Sequence, residues 1–336
     1  MRMKTSITNY CAAIGADPLL VQGAGGNVSW KSDDTLWVKA SGTCLADAER
    51  NDIFIPVDLP YLASALSSGD FSVIPRLRGQ SPLRPSIETL LHALMPHRVV
   101  VHLHAVEILA WLVRNNYERD VGAVLGSHLR WTSTGYHKPG AALAHAVSIA
   151  LDNVPDASVV LLQNHGVVIG GADIDEISHQ LRTITDLLAT EPRSLVSPLH
   201  YEPLSIADSE SYKPVTDPFI RQLATDMTFF NRLSSSWALC PDHVVFLGAR
   251  PACYSSMDGF RSEMANGGSR PELIFIRDAG VFTQPNFNAG QMAQLRCYYD
   301  VLARQPEGAE VNVLSNDQIA ELLDWDAERY RIRLMQ

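Results

Sequence analysis

Two rhythms of apolar and polar positions run through this chain, and each predicts its own kind of element. Residues 3–15 carry apolar side chains at helical spacing and predict a short amphipathic helix. Thr35-Leu-Trp-Val-Lys-Ala40 alternates with period two, as a half-buried strand does, and closes a hairpin over residues 28–40. Residues 53–57 form a further strand and 59–66 a helix. Pro85-Ser86 precedes apolar residues at helical spacing that stop at Pro96. Ser86 therefore reads as a helix N-cap, with Glu88 in the first turn, where the helix dipole favours a carboxylate. The β-branched run Val99-Val-Val ends in His102-Leu-His104 and turns helical to about Arg114. Residues 131–140 read as a loop, 141–151 as an amphipathic helix, 158–163 and 167–171 as strands, and 174–189 as a helix.

From residue 191 to 218 the periodicity gives way to prolines and serines (Pro192, Pro198, Pro203, Pro214, Pro218), the composition of a linker. Beyond it the pattern predicts a helix over 217–233, strands over 243–247, 272–276 and 280–282, a helix over 289–304, and closing segments at 317–323 and 328–334. Strands alternating with helices make this second part a small α/β unit. The expected division is a first domain over residues 1–205 and a second, of unknown role, over 206–336.

Composition changes this picture little. At 336 residues the chain is long for one domain, and 46% hydrophobic with 19% charged residues is ordinary for a globular protein. A formal net charge of −10 argues against a general nucleic-acid surface but not against a small anionic substrate. No apolar run reaches the ~18 residues of a membrane helix, and the start Met-Arg-Met-Lys-Thr-Ser-Ile lacks a signal peptide's apolar core, so a cytoplasmic protein without membrane partners is expected. Cys11, Cys44, Cys240, Cys253 and Cys297 are widely spaced, without a Cys-x-x-Cys pair, and read as reduced small apolar residues.

The chemistry concentrates at strand ends. His102 and His104, one residue apart, share one face of a strand, because side chains alternate with period two. A second apolar run ends in Asn164-His165-Gly166. Three histidine ligands with an open fourth position describe a catalytic divalent metal site, although spacing alone leaves open two unrelated clusters in a chain with 11 histidines. Gly23-Ala-Gly25-Gly26-Asn27 is an anion-cradle candidate or simply a tight turn, and the hairpin would bring Asn27 near Ser41 and Gly42. His92, one turn after Glu88, reads as packed or supporting rather than ligating, and His137 and Lys138 as exposed loop residues.

Taken in order, Gly25-Gly-Asn27-Val-Ser29, Ser41-Gly42, Pro85-Ser86-Ile-Glu88, His102-Leu-His104, Tyr136-His-Lys-Pro-Gly140 with Leu143, and Asn164-His165-Gly166 with Gly170 resemble the class II aldolase/adducin family. That family contains fuculose-phosphate and rhamnulose-phosphate aldolases and ribulose-phosphate 4-epimerase. The likeness covers roughly residues 5–200, and the remainder looks like the tail of longer members. It implies a three-layer αβα sandwich around a mainly antiparallel sheet, with a smaller C-terminal α/β domain. It also implies a metal-dependent aldolase acting on a small sugar, sugar phosphate or sugar acid through an enediolate, with an epimerase, a decarboxylase or a noncatalytic adducin-like scaffold as alternatives. By the same resemblance His102, His104 and His165 hold one divalent ion per subunit, zinc first, with manganese, iron or cobalt as substitutes. Glu88 moves the proton, a role that asks for a carboxyl group titrating near neutrality. Gly26, Asn27, Ser41, Gly42 and Ser86 face the substrate, and Tyr136 or Tyr117 supplies the catalytic phenol. Where phosphate-using aldolases tend to have Ser-Ser-Glu, this chain has Ser86-Ile87-Glu88, one hydroxyl fewer, which leaves room for a carboxylate or a nonphosphorylated substrate. The implied assembly is a homo-oligomer, a tetramer by family habit.

Overall fold

The computed structural model describes residues 2–194 and 212–323. The chain forms two compact units, one running to Thr190 and the other spanning Glu191–Leu323. In the first, a helix α1 (Arg2–Gly15) leads through the glycine loop to a hairpin of β1 (Asn27–Ser32) and β2 (Thr35–Lys39), followed by β3 (Phe54–Asp58) and α2 (Leu59–Ser67). After α3 (Thr89–Leu94) come β4 (Val99–Leu103), α4 (Val106–Leu112), α5 (Tyr117–Leu125), β5 (Trp131–Thr134), α6 (Ala141–Asn153), β6 (Val159–Leu162), β7 (Gly166–Gly171) and α7 (Ile174–Leu187). The strands make one seven-stranded sheet in the order β3-β2-β1-β4-β7-β6-β5. All neighbours are antiparallel except β5 and β6.

Period-two alternation sorts this sheet into two cores. Val99, Val101 and Leu103 of β4 join Val167 and Ile169 of β7 under Ile7, Ile108, Val121 and Ile177 of α1, α4, α5 and α7. Val100 and Val168 face the other way, onto Leu62, Leu91 and Val147 of α2, α3 and α6. Each such fully buried side chain contributes ~1.5–3 kcal/mol relative to exposure. The result is the three-layer αβα sandwich, with β4 in the middle of the sheet and hydrogen-bonded on both sides.

The second unit carries a four-stranded sheet, ordered β8-β11-β10-β9. Its elements are β8 (Lys213–Pro214), α8 (Pro218–Thr225), α9 (Met227–Arg232), α10 (Pro241–Leu247), β9 (Ala252–Tyr254), α11 (Met257–Ala265), β10 (Leu273–Ile276), β11 (Gly280–Thr283), α12 (Ala289–Ala303) and α13 (Asn316–Leu323). Tyr212, Phe260, Ile274, Ile276 and Phe282 form one of its cores. This is the expected smaller α/β domain. Among the described residues no helix is long and apolar enough to cross a membrane.

Several local expectations need correction. Residues 243–247, read as a strand, belong to α10: Pro241 sits at a helix start, Asp242 occupies the first turn, and Gly248 ends the helix at φ +92°. The four apolar residues 244–247, all but Val245 buried, are too short a run for their period to decide between strand and helix. Trp131–Thr134, read as loop, is an edge strand parallel to β6. Asp226 divides the single helix expected over 217–233, its side chain accepting from Thr228 N. Pro214 lies in β8 rather than in a linker, at a sheet edge where the missing N–H costs no ladder bond. Ser86 is not the N-cap of α3. The helix starts at Thr89 with Glu88 at its N-cap position, and Ser86 Oγ accepts from the Glu88 amide at 3.2 Å. The boundary at 205/206, the linker over 195–211 and the segment 328–334 lie outside the described residues. None of the five cysteines forms a disulfide, and Cys253 is exposed rather than packed.

Candidate metal centre

The end of β4 is where four stretches of the chain meet. Register pairs His102 with Asn27 at the start of β1 and with Val168 of β7. His102, two residues beyond Val100, shares its face, the side of the sheet that carries α3 and Glu88. His165 closes the short connection between β6 and β7, where Leu162 pairs with Gly166 and Asn164 adopts φ +52°, a left-handed value that asparagine tolerates better than most residues. Gly166 is required there for space. A Cβ on it would stand 2.3 Å from the carbonyl oxygen of Leu103, so the connection could not close against the strand bearing His102.

The four side chains converge. Nε2 of His102 lies 3.1 Å from Nε2 of His104, and Glu88 Oε1 lies 3.3 Å from His102 Nε2 and 3.1 Å from His165 Nε2. One ligand atom from each of the four residues falls within 4.8 Å of the others. All three imidazoles are buried. The Nδ1 of His102 lies 3.0 Å from the carbonyl oxygen of Val167, an acceptor that fixes the proton on Nδ1 and turns the Nε2 lone pair toward the cluster. Three imidazole nitrogens and a carboxylate oxygen around one point fit a divalent cation by number, type and burial.

Electrostatics agrees with that reading. Burial pushes His165 down to about 4, against the opposing pull of Glu88, so its imidazole is neutral and ligand-ready at physiological pH. Burial also opposes the Glu88 charge, but His102 and His165 outweigh it and hold the carboxyl well below the usual carboxylate range. Glu88 therefore does not titrate near neutrality in this state, because it is paired with two imidazoles. It stands ready as a base. Behind it, His92 Nδ1 lies 2.7 Å from Ser29 Oγ, and burial pushes that imidazole down to about 3. His92 is thus a neutral packed group, as its position on α3 suggested.

Beside the cluster lie the residues expected to face a substrate. Gly26 and Gly42 take φ of +67° and +77°, and Asn27, 1% exposed, keeps Oδ1 without a hydrogen-bond partner. The Ser41 amide donates to Arg84 O at 2.9 Å, and Ala40 bridges Pro85, which ties the Ser41-Gly42 turn to the segment carrying Ser86 and Glu88. Tyr136 is half-buried in the loop after β5, two residues past Thr134, which pairs with Leu162 at the end of β6. The loop thus leaves the sheet at the end where His165 sits. Tyr117 is placed differently, with its hydroxyl donating to Thr134 O at 3.0 Å inside the opposite core. One residue escaped sequence reasoning. Lys39 is 2% exposed, yet nothing in Trp-Val-Lys-Ala marks that lysine as buried.

The chain belongs to the Class II Aldolase and Adducin N-terminal domain family, whose profile matches residues 6–191. It is 26% identical over 276 residues to a Bacillus subtilis (strain 168) protein named uncharacterized oxidoreductase YuxG, an alignment covering 69% of this chain and 39% of that protein. The chain thus spans about two fifths of that relative's length. Among solved structures it is similar to the N-terminal class II aldolase domain of a conserved Thermoplasma acidophilum protein, at 23% identity and TM-score 0.46, over 55% of this chain and 90% of that one. It is also similar to the L-fuculose-1-phosphate aldolase of Thermus thermophilus, at 19% identity and TM-score 0.38, over 56% and 93%.

Proposed function

We propose that this protein is a metal-dependent carbon–carbon lyase of the aldolase type, acting on a small sugar, sugar phosphate or sugar acid. The observation that carries the reading is the placement of Glu88 Oε1 at 3.1–3.3 Å from two of three buried, converging imidazoles. His102, His104 and His165 would hold one divalent ion, zinc in the first instance. A bound ion of this kind polarises a substrate oxygen and stabilises negative charge developing beside it. Glu88, an ionised carboxylate at the edge of the cluster, exchanges a proton with the reacting carbon. Tyr136 serves the hydroxyl whose proton must leave as the bond breaks. In cleavage that hydroxyl loses its proton, the electron pair of the C–C bond moves toward the carbonyl side, and the carbon left behind is reprotonated. Gly26, Asn27, Ser41, Gly42 and Ser86 hold the far end of the substrate through backbone and side-chain donors, and a homo-oligomer, a tetramer by family habit, is the working assembly.

The test is metal analysis of the purified protein combined with an NMR product screen over phosphorylated sugars, free sugars and sugar acids, with and without added zinc, manganese or magnesium. Two carbon fragments formed only with metal are the expected result. A product with unchanged carbon count would assign an epimerase, and released carbon dioxide a decarboxylase. The lyase reading fails if no divalent ion is bound and His165→Ala leaves activity unchanged.

A further inference from the structure

A cavity of about 200 Å³ in the second unit is lined by the first residues of that unit, by α9 and by the C-terminal end of α12, and it shares no residue with the metal centre. Its apolar lining is Phe229, Leu302 and Ala303, all buried. Two guanidiniums, Arg193 and Arg232, line the same space, and the chain holds both in place. The Arg193 amide donates to Ala303 O at 2.8 Å, while its side chain lies 3.4 Å from Asp226 Oδ2 and 5.7 Å from the centre of the Phe229 ring. Arg232 is placed by Nη2, which donates to Ala309 O at 2.8 Å. Among the described residues no carboxylate lies within ion-pair distance of Arg232, whereas Arg193, Arg296 and Arg304 of the same unit each meet an aspartate. The Arg232 guanidinium is half-buried, and burial pushes it down from its usual value. It stays charged all the same, so several N–H donors beside an apolar wall are left for an acceptor that the protein does not supply. Glu191 and Glu307 also line the cavity, both exposed, so its charges balance. A doubly charged group gains little from such a lining, whereas one carboxylate matches the planar fork of one guanidinium. The volume falls below the ~300–1,000 Å³ of typical small-molecule sites, which limits the ligand to a few carbon atoms. We propose that this cavity binds a small monocarboxylate, with its charged end on Arg232 beside Arg193 and its short apolar chain against Phe229 and Leu302. The second unit thereby has a binding role of its own, which does not rest on the lyase reading.

The experiment is a ligand-observed NMR titration of the full chain with butanoate and, in separate arms, with butanamide and inorganic phosphate, using wild type, Arg232→Gln and His165→Ala. Butanamide keeps the shape of butanoate and lacks its charge. Wild type is expected to bind butanoate at least about tenfold more tightly than butanamide, the size of one hydrogen bond to a charged group. Arg232→Gln keeps amide donors for the Ala309 carbonyl and should lose that preference, with circular dichroism and metal content unchanged. His165→Ala removes a ligand of the metal centre and should bind butanoate as wild type does. Equal affinities for butanoate and butanamide in wild type, or a preference that Arg232→Gln retains, overturn the proposal. So does loss of butanoate binding in folded His165→Ala, which would place the anion at the metal centre. Phosphate that displaces butanoate and binds more tightly overturns the carboxylate class. Should Arg232→Gln fail to fold, the more exposed Arg193→Gln decides. Butanoate affinity weakened at least about threefold is expected of that variant, and an unchanged affinity overturns the proposal.

Discussion

Both units bury polar side chains, and the two sets are arranged in opposite ways. In the second unit buried acids meet donors. Arg296 donates to Asp300 at 2.9 Å and to Asp217 at 3.0 Å while lying over the Phe219 ring at 4.2 Å, and Gln294 donates to Asp242 at 3.0 Å. Such a network is satisfied from within, and its natural reading is structural. In the first unit Glu88, His102, His104 and His165 each turn one possible ligand atom toward a single point. Burial alone therefore does not mark a functional site, whereas buried titratable groups that converge on one point do.

The largest effect that would break this contrast comes from the ligands. His165→Ala is expected to abolish stoichiometric metal binding, weakening it by more than the ~10–100-fold typical of changes to groups behind a metal's ligands. Elemental analysis after dialysis checks it, and a chain still carrying one equivalent of metal would place the ion elsewhere. Glu88→Gln comes next. It should keep the metal and lower kcat of the proposed reaction by roughly 10²–10⁴-fold, the range for a positioned acid–base group, measured by steady-state kinetics once a substrate is in hand.

How much of this contrast could be read without coordinates differs between the units for physical reasons. His102-Leu-His104 and Asn164-His165-Gly166 were legible because a β-branched run followed by histidine or glycine fixes a strand end and its facing. The strands β4, β6 and β7 were legible because they are apolar runs between clear turn signals, whereas their assembly into a three-layer sandwich was implied by the family resemblance. Ser86 misled because its hydroxyl serves a turn amide and not a helix end. Phe246 and its neighbours in α10 misled because a short apolar run, nearly all of it buried, leaves too little periodicity to read. Lys39 left no trace, since the loops that receive its ammonium come from segments on either side of it in the chain, and a strand lysine ordinarily points to water.

The second unit offers a smaller, complementary test. Asp300→Asn removes the acid shared by Arg296 and Arg304 and should cost roughly 1.5–3 kcal/mol, the range for a hydrogen bond to a charged group, because Arg296 keeps Asp217 while its bond to Asp300 loses the carboxylate charge. Metal content should not change. Calorimetry with parallel metal analysis reads both, and coupled loss would show that the two networks are not independent. The smallest effect concerns acid. His92 titrates at about 3 in the fold, pushed down by burial, against about 6.5 for an unfolded chain. The unfolded state therefore takes up the proton first, so stability from this group is full above pH 6.5 and declines as pH falls toward 3. Between pH 7 and 5 wild type should lose about 2 kcal/mol more than His92→Gln, measured by urea unfolding at the two pH values. An equal loss would remove His92 as the sensitive group.

Gly166 gives the arrangement a further meaning. Its bare Cα lets the β6–β7 connection lie against the Leu103 carbonyl, and together with the β4–β7 ladder that contact brings His165 to a strand whose histidines stand some sixty residues earlier in the chain. The ligand set does not exist until the middle of the sheet has zipped, so an ion bound there adds its binding energy to the native state alone, about 4 kcal/mol when free metal exceeds Kd a thousandfold. With an ion bound there, occupancy and folding would form one linked equilibrium, in which metal concentration shifts the stability of the fold.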